Sequence, residues 1–159
     1  MSNRIIITQS SIQTYELGQK LGTQIKNILK TAEYSKQNLK FGFTGDLGAG
    51  KTLMIKGIMS KIMPKEEITS PTYTIINEYD VNAFSIFHVD LYRINNFREL
   101  EGTGFLEALV NPRAVMFIEW IDRLGNEIDN LCADIVTVDM HYISPEKRKI
   151  IIKNWREDL

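Results

Sequence analysis

Eight residues, Gly45 to Thr52 (GDLGAGKT), place glycines, a lysine and a hydroxyl in the spacing G-x-x-x-x-G-K-[ST], a pattern that suits the wrapping of a phosphate chain. The glycines let main-chain N–H groups turn inward without a Cβ in the way. Gly45, Asp46, Leu47, Gly48, Ala49 and Gly50 would thus form an anion nest, reinforced by the N-terminus of a following helix. Lys51 would bring positive charge to the terminal phosphates, and Thr52 would offer its hydroxyl to Mg²⁺. The chemistry implied is that of a magnesium nucleotide.

Such a site also needs acid at the C-terminal rim of neighbouring parallel strands. Asp90 ends SIFHVD and Glu119 ends AVMFIE, and the apolar run before Glu119 puts it at that rim. Glu119 would hold the metal directly or through water, or position an attacking water, and Asp90 would complete the metal shell. Spacing does not apportion these roles, because Mg²⁺ dehydrates reluctantly and takes carboxylates through its waters as well as directly. With Lys51, these acids make up the expected catalytic group.

Residues Thr69–Thr74 (TSPTYT) gather hydroxyls around Pro71, and Ser70, Thr72 and Thr74 are candidates for a switch that senses the γ-phosphate. The competing reading is a turn at Ser70-Pro71 leading into a threonine-rich strand. His88 shares its alternation with Phe84 and Ile86 and is expected as a satisfied, partly buried side chain rather than a catalytic one. Arg93 in DLYR suits a phosphate contact, a structural pair with an acid or a place in an interface. Trp120 suits packing or an interface better than chemistry.

The elements that must position these residues follow from pattern. Arg4–Thr8 is short and β-branched and predicts a strand; Ser10 and Gln13 form a capping-box pair, after which Leu17, Leu21, Ile25 and Ile28 recur at helical spacing to about Lys30. TAEYSKQN reads as a polar loop. Leu39–Thr44 predicts the strand that feeds the glycine-rich turn, and Ile55, Ile58, Met59 and Ile62 mark a helix that stops before Pro64. Tyr73–Tyr79 and Phe84–Val89 predict a hairpin around Asp80-Val81-Asn82. The stretch from Asn95 to Pro112 predicts short helices interrupted by Gly102 and Gly104.

Ala114–Ile118 is a continuous apolar run, the mark of a central strand covered on both faces. Asp134–Met140 and Lys149–Lys153 predict a closing hairpin whose turn holds Ser144-Pro145. The expected fold is α/β, with parallel central strands flanked by antiparallel ones and helices on both faces.

Bulk properties bound the rest. At 159 residues and 43% hydrophobic content, the chain suits one domain, residues 1–159. Its 19 basic and 20 acidic residues give a net charge of -1, which lacks the footprint of a freestanding nucleic-acid binder, so any RNA is expected to be held by another protein. Cys132 is the only cysteine; it precludes an intrachain disulfide and is expected as a buried structural thiol. The opening MSNRIIITQSS is too brief in its apolar run for a signal peptide, and no apolar stretch approaches membrane-spanning length, so a soluble cytoplasmic protein without membrane contact is expected.

In order along residues 45–120, GDLGAGKT, SPTYT, HVDLYR and IEW resemble the TsaE family, small ATPases required in bacteria for threonylcarbamoyladenosine formation in tRNA. The resemblance implies a P-loop NTPase fold in which Lys51 and Thr52 serve phosphate and Mg²⁺, Glu119 serves the metal and Asp90 supports it. It also implies a weak, partner-dependent ATPase acting with the TsaB and TsaD proteins, the latter the transferase, with tRNA reached indirectly through that complex. Ser11 and Arg148 become candidates for adenine contacts, because the family places such contacts near the first helix start and the last hairpin.

Two departures stand out: Leu53 occupies a position where the family usually repeats threonine, and Ile121 one where proline or a small residue is common. The first puts a secondary α-phosphate contact in question, the second the shape of the loop after Trp120. Two other function classes fit the same residues. One is a small-molecule kinase in which Asp90 deprotonates an acceptor and Arg93 or Arg98 steadies phosphate; the other is an adaptor that holds ATP without hydrolysing it.

Overall fold

The computed structural model describes residues 3–31, 38–81, 84–131 and 134–155. Its elements in chain order are β1 (Arg4–Thr8), α1 (Ser11–Ile28), β2 (Leu39–Thr44), α2 (Lys51–Ile62), β3 (Ile76–Val81), β4 (Phe84–Asp90), α3 (Phe105–Val110), β5 (Ala114–Glu119), α4 (Glu127–Leu131), β6 (Val136–Tyr142) and β7 (Arg148–Lys153). Short 3₁₀ turns lie at Phe97–Leu100 and Ile121–Leu124. The strands form one seven-stranded sheet in the order β1-β7-β6-β2-β5-β4-β3.

The sheet's centre is parallel, β6 with β2, β2 with β5 and β5 with β4, while the β1/β7, β7/β6 and β4/β3 pairs are antiparallel. This follows from composition, since strands buried on both faces must be apolar throughout and β5 is buried at every position. Phe41, Phe43, Val115 and Phe117 face Leu21, Ile25, Met54, Ile55 and Ile58 of α1 and α2. The alternate positions Val89, Met116 and Ile118 face Phe105 and Leu109 of α3 together with Ile121 and Leu124. Helices therefore cover both faces, as the pattern predicts.

Local signals set several boundaries. Ser10 Oγ accepts from Gln13 N at 3.2 Å, while the Gln13 side chain reaches back to Gln9 N at 2.7 Å, one residue before the cap the sequence suggests. The strand expected from Tyr73 begins only at Ile76: Thr74 N and Ile75 N both donate to Pro71 O, and Ile75 takes φ 68°, which turns the chain before the ladder starts. Asp80 and Val81 are strand residues paired with Ser85 and Phe84 rather than turn residues. Asn82, Cys132 and most of TAEYSKQN lie outside the described residues.

The last hairpin is shifted slightly from expectation, with β6 running on to Tyr142 and β7 beginning at Arg148. Among the described residues, no helix is long and apolar enough to cross a membrane.

α1 and α2 touch backbone to backbone. A Cβ built on Gly22 would lie 2.2 Å from Ile58 O, and one on Gly57 2.3 Å from Tyr15 O. That contact seats α2, whose first residue is Lys51. Gly→Ala in an open helix gains about 1 kcal/mol, but here the overlap with a carbonyl outweighs it. Gly22→Ala should therefore lose about 1–3 kcal/mol of stability, and the melting temperature should fall by roughly 2–4 °C for each kcal/mol. An unchanged or raised midpoint by circular dichroism would show that the helices do not meet this closely.

Candidate functional site

β2 delivers the chain to Gly45 at the middle of the sheet, where the strand must leave the ladder within one residue. Gly45 does so at φ 128°, and a Cβ there would stand 2.1 Å from Met140 O of β6. The loop then turns on an Ala49 N to Asp46 O bond of 3.1 Å, and α2 begins at Lys51 without a side-chain cap. The first helical bond runs from Met54 N to Gly50 O, so the amides of the first turn remain available to an anion.

A chamber of about 370 Å³ opens beside this loop, and Lys51, Thr52, Thr72, Asp90, Glu119 and Trp120 line it. Lys51 is only 4% exposed. Its Nζ donates to Gly45 O at 2.6 Å and Asp46 O at 3.0 Å, and it lies 3.7 Å from the centroid of the Trp120 ring. Burial draws its pKa below the ordinary lysine value, opposed by the charges of Glu119, Asp122, Asp90 and Asp46. The lysine is thus held within the loop, clamped between carbonyls and an aromatic face.

The acids are comparably dry, with Glu119 at 2% and Asp90 at 7% exposure, and they are register partners at the ends of β5 and β4. Thr52 Oγ1 lies 2.9 and 2.8 Å from the two oxygens of Glu119, and His88 Nε2 lies 2.8 Å from Oε1. Asp90 accepts from Tyr92 N at 3.0 Å and from Thr72 Oγ1 at 2.8 Å. His88 is wholly buried, not partly so as its alternation suggests, because it sits one step inward of the rim beneath Glu119.

Of the switch candidates, Thr72 reaches Asp90 and Ser70 reaches Thr72 at 2.8 Å. Thr74 is not brought to the chamber; its hydroxyl bonds Asn77 Oδ1, because the turn after Pro71 rotates it outward. Arg93 does not line the chamber, and its guanidinium lies 4.7 Å from the Tyr73 ring centroid. Trp120, at φ 58°, covers Lys51 and packs 5.0 Å from Tyr92. Tyr92 is a site residue that sequence reasoning passed over, although its place directly after the rim acid and Leu91 was the available signal.

Ser11 and Arg148 come together across a second cavity of about 180 Å³ on the other side of the loop. Arg148 Nε and Nη2 donate to Ala49 O at 3.1 Å and Gly48 O at 3.2 Å, and its guanidinium stacks 4.6 Å from the Tyr142 ring. Leu53 lines both cavities. Ile121 is buried under Gly42 and opens the 3₁₀ turn, so the loop after Trp120 is anchored by its apolar side chain.

The residues fit a hard cation shared with a ligand. Two buried carboxylates and a hydroxyl face one chamber, which matches the oxygen donors Mg²⁺ takes. Among the described residues, no three His, Cys, Asp or Glu side chains converge into a protein-only metal centre. Ligand oxygens and water would have to complete the coordination shell.

The family model of the Threonylcarbamoyl adenosine biosynthesis protein TsaE matches residues 8–150. The tRNA threonylcarbamoyladenosine biosynthesis protein TsaE of Aquifex aeolicus is 30% identical over 149 residues, covering 92% of this chain and 93% of that one. The protein of the same description from Haemophilus influenzae is 34% identical over 104 residues, 65% of each chain, and that from Borreliella burgdorferi is 41% identical over 80 residues, 50% of this chain and 58% of the other. The chain thus spans under two thirds of these last two relatives. The crystal structure of Bacillus subtilus YdiB superposes with a TM-score of 0.65 at 21% identity, covering 95% of this chain and 84% of that one, a likeness of fold.

Arg148 holds two loop carbonyls with a planar fork that an ammonium cannot reproduce. Arg148→Lys should therefore loosen the loop, raising the hydrogen-exchange rate of the Ala49 amide, which is bonded to Asp46 O, by about tenfold, the equivalent of about 1.4 kcal/mol of local opening. Exchange at the wild-type rate would show that the guanidinium does not fasten the loop.

Proposed function

Because the chain belongs to the TsaE family of tRNA threonylcarbamoyladenosine biosynthesis proteins, we propose that it binds ATP with Mg²⁺ and hydrolyses it slowly in the service of that modification. The observation that carries this reading is the meeting, around one chamber, of an uncapped helix start, a buried lysine, a hydroxyl and two buried carboxylates. Each is a part that P-loop triphosphate sites use.

On this reading the first-turn amides of α2 bind the phosphates, and Lys51 exchanges the Gly45 and Asp46 carbonyls for phosphate oxygens. Thr52, Glu119 and Asp90 would hold Mg²⁺, directly or through its waters. When bound, the cation would supply neutralisation of the charge on the phosphate oxygens as the γ-phosphoryl group passes to water. Glu119 also stands where it can orient the attacking water. Catalysis then rests on placement and charge rather than on covalent chemistry. Thr72, bonded to Asp90, is the hydroxyl best placed to register loss of the γ-phosphate, with Ser70 behind it.

The small cavity beside Ser11 and Arg148 would take the nucleoside, with Leu53 between it and the phosphates. TsaB and TsaD are the proposed partners. The exposed side chains of Leu47, Tyr73, Tyr92 and Arg93 near the loop offer the aromatic and arginine surface that protein interfaces favour. The near-neutral charge accords with tRNA being gripped by those partners. The kinase reading is weaker, since Asp90 is occupied by Tyr92 N and Thr72 and is poorly placed to take a proton from an acceptor.

Calorimetry should show uptake of MgADP and MgATP by the wild type, and Lys51→Ala should weaken it by at least about tenfold, the worth of charge-assisted hydrogen bonds to phosphate. Glu119→Ala should retain the metal-free nucleotide affinity, lose the affinity that Mg²⁺ adds, and lose turnover in an assembly reconstituted with TsaB, TsaD and tRNA. Normal turnover in either variant would refute the assignment. Full tRNA modification supported by a non-hydrolysable analogue would favour the adaptor, and a phosphorylated nucleoside or sugar the kinase.

A further inference from the structure

His88 is the one buried polar group at this site that the reading above leaves without a task. It is 0% exposed, its Nε2 lies 2.8 Å from Glu119 Oε1, and its Nδ1 is buried without a hydrogen-bond partner. An unpartnered buried polar atom costs stability, because its lost hydration is not replaced. Packing alone does not call for it, because Ile86 on the same face and Phe117 opposite are apolar and fully buried. The contact with Glu119 is what an apolar side chain here would lose.

The geometry gives that contact a direction. His88 pairs in register with Phe117 and Asp90 with Glu119, so the imidazole lies one step inward of the rim, on the face that carries both acids. A carboxylate oxygen at 2.8 Å is an acceptor, so Nε2 carries the hydrogen and donates to Oε1. Thr52 Oγ1 approaches both carboxylate oxygens from α2. The core-side bond is therefore the one that distinguishes Oε1 from Oε2.

We propose that His88 is a positioning residue for Glu119: by holding Oε1 from the core side it fixes the carboxylate plane and leaves Oε2, beside the Thr52 hydroxyl, for the cation that accompanies the nucleotide. Groups that orient metal ligands in this way change metal affinity by about 10–100-fold when removed. The inference rests on the magnesium-nucleotide reading and deepens it.

The test is a calorimetric titration with the non-hydrolysable analogue AMP-PNP, with Mg²⁺ and with EDTA, on wild type, His88→Phe and His88→Gln. The phenyl ring fills the site without an N–H, whereas the Gln carboxamide can restore one. His88→Phe should keep its metal-free affinity within about twofold and lose at least about tenfold of the affinity that Mg²⁺ adds, while His88→Gln recovers most of that gain. A Mg²⁺ gain in His88→Phe equal to the wild type's, or an equally deep loss in His88→Gln, overturns the proposal.

Should His88→Phe fail to fold, imidazole nitrogen NMR of the wild type decides: hydrogen on Nε2 is required, and hydrogen on Nδ1 alone overturns the assignment. No uptake of AMP-PNP by the wild type would sink the nucleotide reading itself. That result is separable from a failure confined to the His88 variants.

Discussion

Two carboxylates at the ends of neighbouring parallel strands lie almost wholly out of water, and the surrounding structure answers to that cost. Buried like charges side by side are tolerated only where donors and opposite charge surround them. Here Thr52 and His88 serve Glu119, while Thr72 and the Tyr92 amide serve Asp90. These contacts come from α2, β4, the segment after Pro71 and the chain following β4, so distant parts of the sequence are fastened to one point. Lys51 adds its field without touching either acid, since its hydrogen bonds go to the loop's own carbonyls.

Much of this was legible from the residues because it is local. The glycine-rich turn carries its conformation in its own sequence, and the apolar runs before Asp90 and Glu119 end where the rim must be. What escaped was relational. Alternation put His88 on the correct face but could not name Glu119, which belongs to another strand. Trp120 over Lys51 depends on a non-glycine residue at positive φ, for which composition gives no sign. The turn that moves Thr74 outward depends likewise on Ile75. The glycines of α1 and α2 look like helix-weakening residues until the two helices are seen to touch through them.

Arg148 illustrates how the outer, antiparallel part of the sheet serves the parallel centre. It stands at the start of β7, yet its guanidinium reaches the carbonyls of Gly48 and Ala49. The glycine-rich loop is thus braced from β6 at Gly45 and from β7 at its middle, while α2 is seated by α1. Trp120 and its neighbour Ile121 close the remaining side, one over the lysine and the other under the sheet at Gly42. The loop is flexible in composition but held by every layer around it.

The sheet order places β1 against β7 alone, the earliest strand against the latest. During synthesis, β1 emerges with no ladder to join, and its inward Ile6 waits about 140 further residues for its register partner Ile150. α1 can meet α2 far sooner. The β1/β7 pair is thus the most non-local pairing of the sheet, the kind of contact whose closure costs the most chain entropy and is made last.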